Sequence, residues 1–173
     1  MATSAARLME PVARRRVGAT EKNTAVLVAV AMYGEEKVVK EGGDRFLREA
    51  AASVGLSCSQ EVQEEEETLI QAYIDVTTAV QYLCENGRIR FHKGYSKSGL
   101  MGFCDPCPSM PKLLLVFYTY GGKSYKATIS DTDGASLPSS GKLLDGDGTE
   151  TGSQAQMVEA IARARWSILP EQN

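Results

Sequence analysis

Residues 112–131 read KLLLVFYTYGGKSYKATISD, and this stretch decides the fold class. Leu113, Leu115 and Phe117 alternate with Leu114, Val116 and Tyr118, so both faces of its first half are apolar. A strand of that kind is covered on both sides. Gly121-Gly122 suits a two-residue hairpin turn, because glycine tolerates positive φ. Beyond it Tyr125, Ala127 and Ile129 alternate with Lys126, Thr128 and Ser130, the pattern of a half-buried strand. The stretch therefore predicts an antiparallel hairpin with one central strand.

Upstream, residues 24–33 (TAVLVAVAMY) are apolar on both alternating faces and predict a second covered strand, ended by Gly34. A polar stretch follows, and Gly42-Gly43-Asp44 reads as a break and then a helix N-cap. Phe46, Leu47, Ala50, Ala51 and Val54 recur at helical spacing up to a C-cap at Gly55. From Ser57 to Glu67, with glutamates at 64–67, the chain reads as a solvated loop. Leu69 to Val76 predicts a strand, with Ile70, Ala72, Ile74 and Val76 on one face. Thr77 to Cys84 fits either a helical turn or a continuing strand. Asn86-Gly87 is a tight-turn signal, followed by Ile89 and Phe91 alternating with Arg88, Arg90 and His92.

Downstream, residues 139–153 are rich in Gly, Ser, Asp and Thr and read as a flexible linker. A last helix is expected from Ser153 to about Leu169, before Pro170, with Met157, Ile161, Ala164 and Ile168 as its stripe and Val158, Trp166 and Leu169 beside it. The expected fold is α+β: an antiparallel or mixed sheet of about five strands, a helical insertion, and flanking N- and C-terminal helices. Its expected divisions are a basic helix at 1–23, the sheet domain at 24–141, a linker at 142–152 and the C-terminal helix at 153–173.

The 173 residues carry 43 % hydrophobic and 24 % charged side chains and a net charge of -3. That balance fits a globular domain and gives no general pull toward nucleic acid. The longest apolar runs, 24–33 and 113–118, fall short of the roughly 20 residues a spanning helix needs. The N-terminal Arg7, Arg14, Arg15 and Arg16 suit a basic targeting peptide or a helix lying on a partner or acidic lipid surface, although Glu10, Pro11 and Glu21 count against the peptide.

Four cysteines are too few for a disulfide framework in a chain this long. Cys104-Asp-Pro-Cys107 has a spacing that suits zinc or thiol redox chemistry. A structural zinc would also need Cys58, Cys84 or His92 to converge on the pair, and Pro108 and Pro111 place it in an irregular loop rather than at a helix start. The single histidine, His92, has no assignable nucleophile or orienting acid and reads as solvent-facing. Asp145-Gly-Asp147-Gly148 echoes a calcium loop without its later ligands and reads as linker. No catalytic residue, metal or cofactor is expected.

One segment is more specific. Ser96-Lys-Ser-Gly-Leu-Met-Gly-Phe-Cys-Asp-Pro-Cys107, followed by the hairpin and by Ala135-Ser-Leu-Pro138, resembles the C-terminal domain of the DnaJ subfamily C member eleven family, which carries a similar S-K-x-G-L-x-G-F-x-D-P-C loop. Tyr33-Gly34, Asp75-Val76-Thr77 and Ala6-Arg7-Leu8-Met9-Glu10 also match the pattern. The resemblance spans most of residues 5–148, interrupted around 41–65, and leaves the last helix outside. Position 104 is usually aromatic in that family, so the Cys104/Cys107 spacing reads as particular to this sequence. The His-Pro-Asp of a J domain is absent from these residues, since His92 precedes Lys93.

The resemblance implies a non-catalytic protein-interaction or scaffold module of a mitochondrial membrane-organising, cristae-associated or assembly complex. The alternatives are a structural subunit of another large assembly, a cytoplasmic setting, and a thiol redox or zinc protein using Cys104 and Cys107. The expected partners are other proteins of a membrane-associated complex, with peripheral membrane contact through Arg14, Arg15 and Arg16, no nucleic acid and no transmembrane helix. Candidate binding residues are Leu100, Met101, Phe103, Asp105 and Pro106 in the glycine-framed loop, where Leu100, Met101 and Phe103 either plug the sheet's open end or anchor a partner. Met157, Ile161 and Trp166 join them, on a tethered helix expected to dock on a partner rather than on the sheet.

Overall fold

In the computed structural model, which describes residues 2–18, 24–56, 72–144 and 150–166, the hairpin forms as its pattern demands. β4 (Lys112–Tyr120) pairs antiparallel with β5 (Lys123–Ser130). Gly121 and Gly122 take φ of 61° and 76°, a geometry that side-chain-bearing residues rarely adopt. β1 (Leu27–Glu35) lies on the other side of β4, β2 (Tyr73–Asp75) on the other side of β1, and β7 (Lys142–Leu143) beside β5. The main sheet is thus five antiparallel strands in the order β2-β1-β4-β5-β7. A second sheet of two strands joins β3 (Ile89–Phe91) to β6 (Ala135–Leu137), a pairing the sequence pattern did not predict.

Both faces of the sheet are covered. On one, Val28, Ala31, Tyr33, Leu114, Val116 and Tyr118 meet Met9 of α1 (Ala2–Gly18), Ala79 and Val80 of α4 (Thr77–Tyr82), and Ile89 and Leu137 of the small sheet. On the other, Val30, Met32, Leu115 and Phe117 meet Val39 of α2 (Glu36–Glu41), Phe46 and Leu47 of α3 (Gly43–Ser53), and α5 (Glu150–Trp166). The polar stretch after Gly34 is therefore the helix α2. Gly34 lies inside β1 rather than ending it. A Cβ there would meet the Ala72 carbonyl oxygen at 2.1 Å, so only glycine lets β2 approach this closely.

One open reading is resolved and two expectations are revised. Thr77 to Cys84 resolves to helix, with the Thr77 Oγ1 accepting from the Ala31 amide at 3.0 Å. The expected tether at 142–152 supplies β7, and Leu144 is buried in the core. The last helix lies on the sheet: Val158, Ile161, Ala162 and Trp166 face inward, while Met157 is only half-buried and Ala164 is exposed. The docking face expected around Met157, Ile161 and Trp166 is thus occupied by the chain's own core. The reason is an open stretch of β1: β2 pairs only with Met32–Gly34, so backbone groups of Val26 and Val28 have no strand partner on that side. Gln81 of α4 answers from one face, its Oε1 accepting from the Val28 amide at 2.7 Å and its Nε2 donating to the Val26 carbonyl at 3.0 Å. Trp166 of α5 answers there too, packed against Ala13 of α1 and Tyr82 of α4, its Nε1 donating to the Val28 carbonyl at 2.7 Å. The loop at 57–67, the first half of the strand expected from Leu69, Cys58, the Asp145–Gly148 motif, Ile168 and Leu169 lie outside the described residues.

Candidate functional site

The Ser96–Cys107 loop is built on a lysine that would be expected in water. Lys97 is 2 % exposed. Its Nζ donates to the carbonyls of Ser130, Asp131 and Asp133 at 2.8, 2.9 and 2.9 Å, which satisfies the three ammonium protons at the end of the hairpin. Burial pushes its pKa down, and the charges of Asp131 and Asp133 oppose that. The Asp131 carboxylate in turn accepts from the Tyr33 hydroxyl at 2.5 Å, the Lys97 amide at 2.9 Å and the Ser96 hydroxyl at 2.8 Å. Burial alone would raise the Asp131 carboxyl. The three hydrogen bonds outweigh it and hold the group below the ordinary carboxylate range. Tyr33 is pushed up, by burial first and by the neighbouring Asp131 second.

From this polar anchor a short 3-10 turn (Lys97–Gly99) leads into the apolar segment, with the Ser96 Oγ accepting from the Ser98 amide. Leu100 is half-buried against the sheet's core, and Phe103 packs edge-on to Tyr33, with 5.4 Å between ring centres. Gly102 has φ +83° and lies where a Cβ would meet Ala79 Cβ at 2.8 Å and Met9 Sδ at 3.0 Å. The loop is thereby pressed onto α4 and α1. Met101, between Leu100 and Gly102, stays 62 % exposed. Leu8 and Val12 are also exposed, on the same helix whose Met9 meets Gly102.

Asp105 is exposed, accepts from the Cys107 amide at 3.1 Å, and lies 3.4 Å from the Lys112 ammonium; Pro106 beside it is half-buried. These two close the loop, as Leu100 and Phe103 plug it. Of the five loop candidates, Met101 is the apolar side chain left facing out. Cys104 is exposed and Cys107 buried, and burial pushes the Cys107 thiol up, away from the reactive thiolate form. Among the described residues no three His, Cys, Asp or Glu side chains come together as a metal site would require. His92 is exposed at the end of β3.

On α1, Arg14 pairs with Glu10 at 2.8 Å and lies 5.6 Å from the centre of the Trp166 ring, while Arg15 is exposed. Among the described residues no helix is long and apolar enough to cross a membrane. Sequence reasoning missed Lys97, Tyr33 and Asp131 as the residues that position the loop. A lysine between two serines carries no signal of burial, and only the packed hairpin end creates its three acceptors.

Comparison with known proteins identifies the family. The family model described as DnaJ-like protein C11, C-terminal, matches residues 1–138. The chain is 28 % identical over 147 residues to DnaJ homolog subfamily C member 11 of Pongo abelii and 27 % identical over 147 residues to that of Mus musculus, covering 85 % of this chain in each case. A Dictyostelium discoideum homolog is 37 % identical over 71 residues, 41 % of this chain and 12 % of its own length. The chain spans only 22 % of the length of the two mammalian relatives. No solved structure matches. With the family match covering most of the chain, including the anchored loop and its hairpin, this protein belongs to the DnaJ-like C11 C-terminal family.

Proposed function

We propose that the chain is a non-catalytic interaction module of a mitochondrial membrane-organising or assembly complex, and that Met101 and the neighbouring α1 surface meet its partner. The observation that carries this reading is the contrast within one loop. Lys97, Asp131 and Tyr33 fix its base, Leu100 and Phe103 are plugged, and Met101 is held out in water. Holding an apolar side chain outward on a rigid base lowers the ordering cost of binding, and methionine adapts to varied partner surfaces. The mitochondrial setting and the role as a scaffold rest on family membership. In the same reading the basic run at 14–16 contacts an acidic membrane surface.

Affinity purification of the tagged chain from cells, with mass spectrometry and organelle fractionation, tests the proposal. Mitochondrial membrane proteins should co-purify with the wild type and be lost from Met101→Asp, whose thermal stability should match the wild type because the site is exposed. Recovery of the same proteins with Met101→Asp would refute the role of the loop. Recovery of an assembly from another compartment would replace the mitochondrial setting.

A further inference from the structure

The outward side of the small sheet carries a feature that the loop reading does not use. An open cleft of about 830 Å³ lies between β3 and the start of the loop, lined by Arg88, Arg90 and Tyr95 together with Leu83, Phe91 and Leu100. Its volume falls in the ~300–1,000 Å³ range of small-molecule sites, far more than a bare inorganic anion fills. Arg88 and Arg90 are both exposed, and among the described residues neither forms an ion pair. They sit two residues apart in the alternating pattern that sends Ile89 and Phe91 into the core, so both project from the same face. One carboxylate, Glu85, also lines the cleft. Two free guanidinium groups here stand against a chain whose net charge is -3.

We infer that this cleft binds an organic phosphate ester. Two side-by-side guanidinium forks suit one phosphoryl group, which offers three oxygens, whereas a single carboxylate is satisfied by one fork. Tyr95, 76 % exposed at the cleft, offers an aromatic ring, and Leu83 and Leu100 offer apolar surface, to the organic part of the ligand. The Lys97 ammonium does not compete for the phosphate, because three carbonyls already hold it. The same phosphate-ester chemistry is presented by a soluble metabolite or by a phospholipid headgroup, and the assay separates the two.

The test uses the whole chain with three probes: phenyl phosphate, benzoate as a carboxylate control, and phosphatidylcholine vesicles with or without phosphatidic acid. Calorimetric titration should show phenyl phosphate binding more tightly than benzoate, with affinity falling as salt rises. Arg88→Gln and Arg90→Gln should each weaken binding about tenfold or more, and Tyr95→Ala should weaken it less. Binding of phenyl phosphate without flotation on acidic vesicles assigns a soluble ligand. Flotation that depends on phosphatidic acid and is lost in Arg88→Gln/Arg90→Gln assigns a headgroup. Trp166 fluorescence, from a residue that does not line the cleft, checks that the variants fold. The inference is overturned if neither probe binds, if benzoate binds as well as phenyl phosphate, or if the folded double variant binds unchanged.

Discussion

Replacing Ile161 by alanine asks whether α5 is part of the fold or a passenger on it. Ile161 is 0 % exposed and lies among Val158, Ala162, Leu115 and Phe117, between α5 and the sheet. The change deletes about three buried carbon groups, worth ~0.8 kcal/mol each in transfer, or ~2.4 kcal/mol together. The residual cavity adds to that, for a total loss of ~3–4 kcal/mol. In a chain of this size each kcal/mol lowers the melting temperature by ~2–4 °C, so the expected drop is about 6–16 °C. Urea unfolding for the free energy and a thermal melt for the midpoint, each followed by far-UV circular dichroism and by Trp166, the single tryptophan, measure the two quantities. Gln156→Ala, an exposed position on the same helix, serves as control and should stay within ~0.5 kcal/mol. A loss below ~1 kcal/mol for Ile161→Ala would refute the reasoning, because a helix that only rests near the sheet leaves no cavity behind.

Lys97→Met should cost ~1–3 kcal/mol and speed amide hydrogen exchange across the 96–103 segment, since three part-buried carbonyls lose their donor; unchanged exchange would show that the lysine does not hold the loop. Asp131 has a folded pKa below its unfolded value of ~3.9, so its contribution is complete above that value and is lost as pH falls through the lower folded value. The melting-temperature gap between wild type and Asp131→Asn should therefore be constant from pH 7 to 5 and shrink below about pH 4; a gap unchanged down to pH 3 would contradict this. Purified protein should carry far less than one zinc per chain, and elemental analysis finding about one, lost on Cys107→Ser, would reinstate the metal reading.

The hairpin and β1 were legible because doubly apolar strands and the Gly121-Gly122 and Asn86-Gly87 turns are local signals. In the structure Asn86 and Gly87 take φ of 51° and 75°, as a two-residue turn demands. The helix α3 was legible for the same reason, with Phe46, Leu47, Ala50 and Ala51 buried at helical spacing. The helix α2 was not, since Val39 is the buried residue among six and leaves too short a stripe to read. Composition marked residues 139–153 as flexible but could not say where the helix beyond them lands. That is fixed by the Val28 carbonyl on the open side of β1, which Trp166 reaches across 138 residues of sequence. The loop candidates were legible as a group from their glycines and the family pattern. Which of them face out was not, because the answer depends on Lys97 and Asp131 meeting the hairpin end and on Gly102 meeting Met9 and Ala79.

The central claim is that the loop face, not α5, meets a partner. A photo-crosslinking amino acid placed at Met101, and in a parallel chain at Arg48 on α3 across the sheet, tests this directly in cells. The account predicts protein adducts at position 101, recovered with the mitochondrial membrane fraction, and few or none at position 48. Adducts at 48 with none at 101 would contradict it.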